Sequence, residues 1–209
     1  MRFIFAALVL GATLVGLVRT SDPAVEPLST DEARAHLHVD HGHENTLLDA
    51  YVAAARQEAE RVSWRALITQ TWQLTLDRFP GSRAAIRLPR PPLQSVTSVV
   101  YTDEGGSQQT LATSQYDVDT AGEPGRIVPA FDRCWPSTRR VANAVVITYV
   151  AGYGDSAADV PQAIRHWLRL FVDHAHRFRG SHVPDDVFRQ PHLDALLDPV
   201  RDERLSHVL

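Results

Sequence analysis

The chain has 209 residues, a formal net charge of −4, and 44% apolar and 22% charged residues; this balance suits a globular protein with one domain of ordinary size plus extensions, and a core that needs no staples. Its single cysteine, Cys134, excludes an internal disulfide framework. The mildly acidic charge argues against a chain that grips nucleic acid by bulk electrostatics.

Residues 1–20 hold an apolar run from Phe3 to Val18 behind Arg2. The pattern fits a leader peptide, but Leu17-Val18-Arg19 puts a charge where a cleavage site needs small residues. The run is short for a membrane-spanning helix. A coding start placed upstream of the original one and an apolar arm packed on a neighbour are the other readings. From Ser21 to Leu28 the chain reads as extended, because Pro23 and Pro27 bias their neighbours away from helix. Ser29 and Glu32 form a capping-box pattern that opens a helix over 30–39. A break follows at 40–43, and Asn45 is placed to cap a helix over 46–63. Leu48, Tyr51, Val52, Ala55, Ala59 and Val62 give that helix one apolar stripe, with Arg56, Glu60 and Arg61 expected on the opposite face.

The period then changes from helical to alternating. Trp72, Leu74 and Leu76 share one face of a strand. Ile86 and Leu88 begin another, stopped by Pro89, Pro91 and Pro92, which fix φ and lack the N–H a sheet interior needs. Leu93 leads past this rigid corner into a β-branched run ending at Tyr101. Asp103-Glu104-Gly105-Gly106 reads as a hairpin turn. Short strands are expected near 110–111, 116–119 and 125–128, and 144–150 is the most strand-like run in the chain. The β portion over 70–150 is thus a compact antiparallel sheet or small sandwich. Pro161 opens a helix over 161–179, with a stripe of Ile164, Trp167, Leu168, Phe171, Val172, Ala175 and Phe178, stopped at Gly180. Arg169, Asp173 and Arg177 stand at helical spacing on its outer face. A polar linker, a short helical piece over 192–197 and a tail complete the chain.

No catalytic constellation emerges. His36, His38, His41 and His43, and again His166, His174, His176 and His182, cluster in sequence, but neither group has zinc-ligand spacing. Cys134 beside Trp135-Pro136 reads as a part-buried structural thiol. Gly152-Tyr153-Gly154 lacks the rest of a dinucleotide fingerprint, and no nucleophile elbow or P-loop is present. Glu104, Asp117, Asp119 and Asp132 are candidate paired carboxylates with no spacing that selects two of them. Trp72, Trp135 and Trp167 fit core packing better than a sugar groove. No catalytic residue, metal or cofactor is assigned.

The order of segments carries more information than any one motif. Residues 23–28 (PAVEPL), 33–40 (ARAHLHVD), 53–56 (AAAR), 65–72 (RALITQTW), 77–80 (DRFP), 88–93 (LPRPPL), 95–99 (SVTSV), 116–119 (YDVD), Trp135-Pro136, 147–154 (ITYVAGYG) and Val160-Pro161 follow one another. The series resembles the head–tail connector, or adaptor, family of tailed bacteriophages, which includes gp6-like connectors and the adaptors of gene transfer agents. The likeness covers roughly residues 18–180. Residues 196–201 (LLDPVR) resemble the family's C-terminal motif, with Val200 where tyrosine is frequent.

The resemblance implies an α+β fold with a helical N-terminal pair, a compact antiparallel β portion, a C-terminal helix and an extended tail. In domain terms the chain reads as an apolar extension over 1–20, a misassigned start or a leader, whose first 17 or so residues have no counterpart in the resemblance, then a connector domain over 21–180 and a linker with docking tail over 181–209. It implies a non-enzymatic virion protein in the neck of a phage or phage-like particle, assembled in the host cytoplasm. Twelve copies would form a ring joining the portal protein to a stopper or tail-completion protein. Double-stranded DNA would pass through the lumen without specific binding, and no membrane would be involved. Portal docking would fall to Leu193, Leu196, Leu197, Pro199, Val200 and Arg201. Ring contacts would fall to Arg56, Arg61, Arg165, Arg169, Asp173 and Arg177. The competing reading is a secreted or periplasmic β-rich domain that binds carbohydrate or acts as a hydrolase, with residues 1–20 as its leader.

Overall fold

Alternation along two strands builds the β portion. In β3 (Gln70–Leu76) and β9 (Val145–Ala151) every second residue is buried, the pattern of a sheet with one face on a core. They pair antiparallel, with Leu74 opposite Ile147 and Trp72 opposite Tyr149. These strands belong to the computed structural model of the chain, which describes residues 8–9, 12–178 and 196–198. The described residues divide into a β unit (8–9, 12–22 and 69–152) and a helical unit (23–68, 153–178 and 196–198).

In the β unit, β1 (Leu8–Val9), β2 (Ala12–Ser21), β5 (Leu93–Thr102) and β6 (Gln108–Thr110) complete a six-stranded sheet in the order β1-β2-β3-β9-β5-β6. All its pairings are antiparallel. Part of the stretch expected as an N-terminal extension therefore supplies strands, and Leu17 of β2 is buried. β5 departs from the expected buried run. Register shifts near Gln94 and Thr97 interrupt its pairing with β9, so only Leu93 and Val99 are fully inside. The hairpin from β5 to β6 turns where expected, with Gly106 N–H donating to Asp103 O and Gly106 at φ +91°.

A second, three-stranded sheet has the order β4 (Ile86–Arg87), β8 (Arg126–Pro129), β7 (Tyr116–Asp119). The proline corner links the two sheets within this unit. Leu88 N–H donates to Gly125 O, and the buried Tyr149 hydroxyl donates to Pro89 O at 2.8 Å. A Cβ on Gly125 would lie 2.5 Å from that of Leu93, so only glycine lets the chain pass there.

The helical unit contains α1 (Thr30–Leu37), α2 (Asn45–Ser63) and α3 (Gln162–Arg177). The capping box is present in full: Ser29 Oγ accepts from Glu32 N–H, and a Glu32 carboxylate oxygen accepts from Ser29 N–H. α1 ends at Leu37, two residues early, because His38 turns left-handed at φ 55°. Asn45 does not cap α2. It is the first helical residue, Glu44 precedes it, and no side chain caps the end. α3 closes at Arg177 with Phe178 as C-cap; Gly180, the expected stop, lies outside the described residues. The core of this unit gathers Leu28, Val52, Ala55, Ala59, Leu67, Ile164, Trp167, Leu168 and Val172. Leu197, at 0% exposure, joins it, and Leu196 packs against it. The rest of the expected 192–197 piece lies outside the described residues.

Candidate interaction surfaces

The charged residues expected on outward helix faces divide into two groups. Arg56 and Glu60 are buried, contrary to expectation. Arg56 Nε donates to Glu26 at 2.7 Å, its Nη1 to Glu60 at 3.2 Å, and the other Glu60 oxygen accepts from Leu67 N–H at 3.1 Å. Burial alone would lower the Arg56 pKa, but the bond to Glu26 and the charge of Glu60 outweigh it, so the guanidinium is held charged. The helical period placed these residues opposite the apolar stripe. What it could not show is that Glu26, from the extended entry, meets the second flank of α2.

Arg165 of α3 is likewise turned into its own unit. It donates to Pro27 O at 3.2 Å and to Glu32, while Arg169 reaches the same Glu32 oxygen at 3.5 Å. Glu32 thus caps α1 and ties it to α3. Its burial would raise the carboxyl pKa; the Ser29 N–H and the two arginines more than reverse that and hold it below the ordinary value. Asp173 and Arg177 pair with each other at 3.0 Å, and Arg61 pairs with Glu58 through two bonds of 2.6 and 2.8 Å. Of the six candidates, Arg61 and Arg177 are the exposed ones. Of the docking candidates, Leu196 and Leu197 are described above; Leu193, Pro199, Val200 and Arg201 lie outside the described residues.

The residues weighed for chemistry do not converge. Asp119 pairs with Arg126 at 2.9 Å and Asp132 with Arg83 at 3.3 Å, while Glu104 and Asp117 are exposed. Trp135 stacks on Phe79 at 5.0 Å between ring centroids, the Arg90 guanidinium lies 5.3 Å from the Trp72 ring centre, and Trp167 stacks on Phe171 in the helical unit. His176 Nε2 lies 2.9 Å from Glu44. Among the described residues no group of three or more His, Cys, Asp or Glu is placed to hold a metal ion. No helix among them is long and apolar enough to cross a membrane.

Cys134 is exposed rather than part-buried. The cause is local: Asp132 takes a left-handed turn at φ 56°, and Trp135 is the residue that goes inside. Its indole N–H donates to Ala84 O and its backbone N–H to Ser82 O. Phe131, at the same turn, is 97% exposed. Sequence reading passed over it, because a lone aromatic in an irregular stretch carries no periodic signal.

Helices gathered in one unit and antiparallel sheets in the other define an α+β protein. That fold is found in the neck of gene transfer agent particles. The chain matches a chain from the neck of an empty gene transfer agent particle computed with C6 symmetry, at a TM-score of 0.72 and 22% identity, over 88% of this chain and 94% of that one. The virion of a native gene transfer agent particle gives 0.73 and 22% over the same shares. The neck of a native particle computed with C12 symmetry gives 0.66 and 23%, again over 88% and 94%. No sequence-family profile and no curated protein sequence matches the chain.

Proposed function

We propose that this chain is a non-enzymatic structural protein of the virion neck in a tailed phage or phage-like particle. It acts as a connector ring between the portal and the stopper or tail-completion protein, with DNA passing through its lumen. The observation that carries this reading is the shared fold over 88% of the chain with neck chains of gene transfer agent particles. The ordered series of motifs from Pro23 to Val160 supports it independently. A ring built from one chain needs a heterologous contact that closes on itself, and twelve copies is the number we propose.

The tail is proposed to dock on the portal through Leu193, Leu196, Pro199, Val200 and Arg201. Leu197, seated in the helical core, would then anchor the tail to its own subunit. The test is co-purification with the portal protein, followed by mass measurement and imaging of the complex. A ring on the portal is the expected result; a lone subunit beside the portal would overturn the reading. Deleting 199–209, which spares Leu197, should leave the helical content unchanged and abolish portal binding.

A further inference from the structure

We propose that Phe131 is a contact knob between copies of this chain, seated on the start of helix α2 of the neighbouring copy. The inference deepens the ring reading above and rests on it.

Six contacts within the β unit hold the knob in place. Trp135 bonds to Ser82 and Ala84 and stacks on Phe79, Asp132 pairs with Arg83, Asn143 N–H donates to Asp77, and Ala130 N–H donates to Gln115 O. The loops 77–85 and 130–143 are thereby fixed to each other before any partner arrives, which reduces the ordering cost of association. A phenylalanine left 97% exposed on such a fixed turn loses hydration-unfavourable surface only by meeting another molecule. Val141 in the same loop is 42% exposed. The two loops carry Arg78, Arg83, Arg133, Arg139 and Arg140 against Asp77 and Asp132 alone, and both aspartates are already bonded. A fully exposed aromatic in arginine-rich loops has the composition of an interface centre.

The partner surface needs apolar area with carboxylates beside it. The helical unit offers this at the start of α2. Leu47 is 36% exposed, Ala50 is exposed one turn on, and Asp49 stands between them. Asp49 accepts from Thr30, whose neighbour in sequence, Asp31, has a side chain 90% exposed and pairs with Arg34 at 3.3 Å. Among described residues the helical unit holds twelve carboxylates against seven arginines, and the β unit eight against nine. Charge therefore favours the arginine-rich loops of one copy against the more acidic helical unit of another. Two different patches joined in this way give a head-to-tail contact, the type a ring requires.

The experiment measures self-association of the full chain by sedimentation, alone and with the portal protein, for wild type, Phe131→Glu, Arg133→Glu, Asp49→Arg and the Arg133→Glu/Asp49→Arg pair. Circular dichroism of each should match wild type, since all three positions are exposed. Phe131→Glu should weaken assembly at least ten-fold. Each single charge reversal should weaken it several-fold, and the pair should recover most of the loss. A wild-type chain that stays a monomer alone and beside the portal overturns the ring reading itself. Rings that form equally well with Phe131→Glu overturn this contact and leave the ring reading standing. Weakening by Phe131→Glu without rescue by the charge pair overturns the α2 seat. Unchanged assembly with loss of binding to a short DNA duplex would assign the loops to DNA and overturn the contact as well.

Discussion

The two units solve the same problem with different means. The β unit is held by strict alternation: β3 and β9 each put every second side chain inside, and they pair with each other residue by residue. The helical unit adds paired charge to an apolar core, buried where Arg56 lies between Glu26 and Glu60 and part-exposed where Glu32 meets Arg165 and Arg169. Apolar burial is non-directional, whereas an ion pair out of water is satisfied only in one geometry. The β unit can thus tolerate changes that conserve volume. The helical unit should be intolerant of losing one charge and tolerant of losing a matched pair.

The largest effects test that contrast directly. Ile147→Ala in β9 removes a fully buried side chain from between β3 and β5 and should cost about 2–5 kcal/mol in denaturant unfolding, while Ile147→Val should cost about 1 kcal/mol. Arg56→Ala strands two carboxylates, and should cost about 3 kcal/mol, the lower end of the range for a broken buried pair because Glu26 is one-third exposed. Replacing Arg56 by Met and Glu26 by Leu, together with Glu60→Gln, which can still accept from Leu67 N–H, should recover most of that loss. If this triple variant were as unstable as Arg56→Ala, the ion pairs would be contributing stability rather than geometry, and the contrast between the units would fail.

What could be read in advance follows the same division. The strands, the proline corner, the hairpin at Asp103–Gly106 and the stripes of α2 and α3 were legible because each is a local period or a local backbone restriction. The inward turn of Arg56 was not, since its partner Glu26 lies thirty residues away and nothing in α2 itself announces it. The strand from Ala12 to Ser21 was masked by its own hydrophobicity, which matches a leader as well as a sheet edge. The exposure of Cys134, which its neighbours Trp135 and Pro136 suggest is part-buried, and of Phe131 escapes sequence for one reason: the loop 130–143 is fixed by tertiary bonds to 77–84, and sequence spacing does not report such bonds.

A smaller effect separates the cap from the ion pair. Ser29→Ala removes one acceptor at the start of α1 and should cost about 1 kcal/mol. Glu32 has a second role that depends on pH. Its carboxyl is held below the ordinary value of 4.5, so its contribution is complete above that value and is lost as pH falls through the lower folded-state value. Glu32→Gln should therefore flatten the acid limb of the stability profile below about pH 4.5 while leaving the neutral-to-alkaline shape unchanged. An unaltered acid limb would show that the Ser29 N–H and the two arginines do not hold the Glu32 carboxyl below its ordinary value.

The smallest expected effect is the most informative about assembly. Arg61 pairs with Glu58 on the exposed side of α2, three residues apart, with the Arg61 side chain 65% exposed. Exposed pairs of this kind contribute about 0–0.5 kcal/mol, so Arg61→Ala should leave monomer unfolding almost unchanged. If Arg61 also contacts a neighbour, the same substitution should weaken ring formation measured by sedimentation, with no change in the monomer's melting. Arg56→Ala would do the reverse, destabilising the subunit before assembly begins. A ring that forms normally from Arg61→Ala removes α2's outer arginine from the contact. It leaves the exposed Arg177, at the far end of α3, as the remaining candidate of the same type.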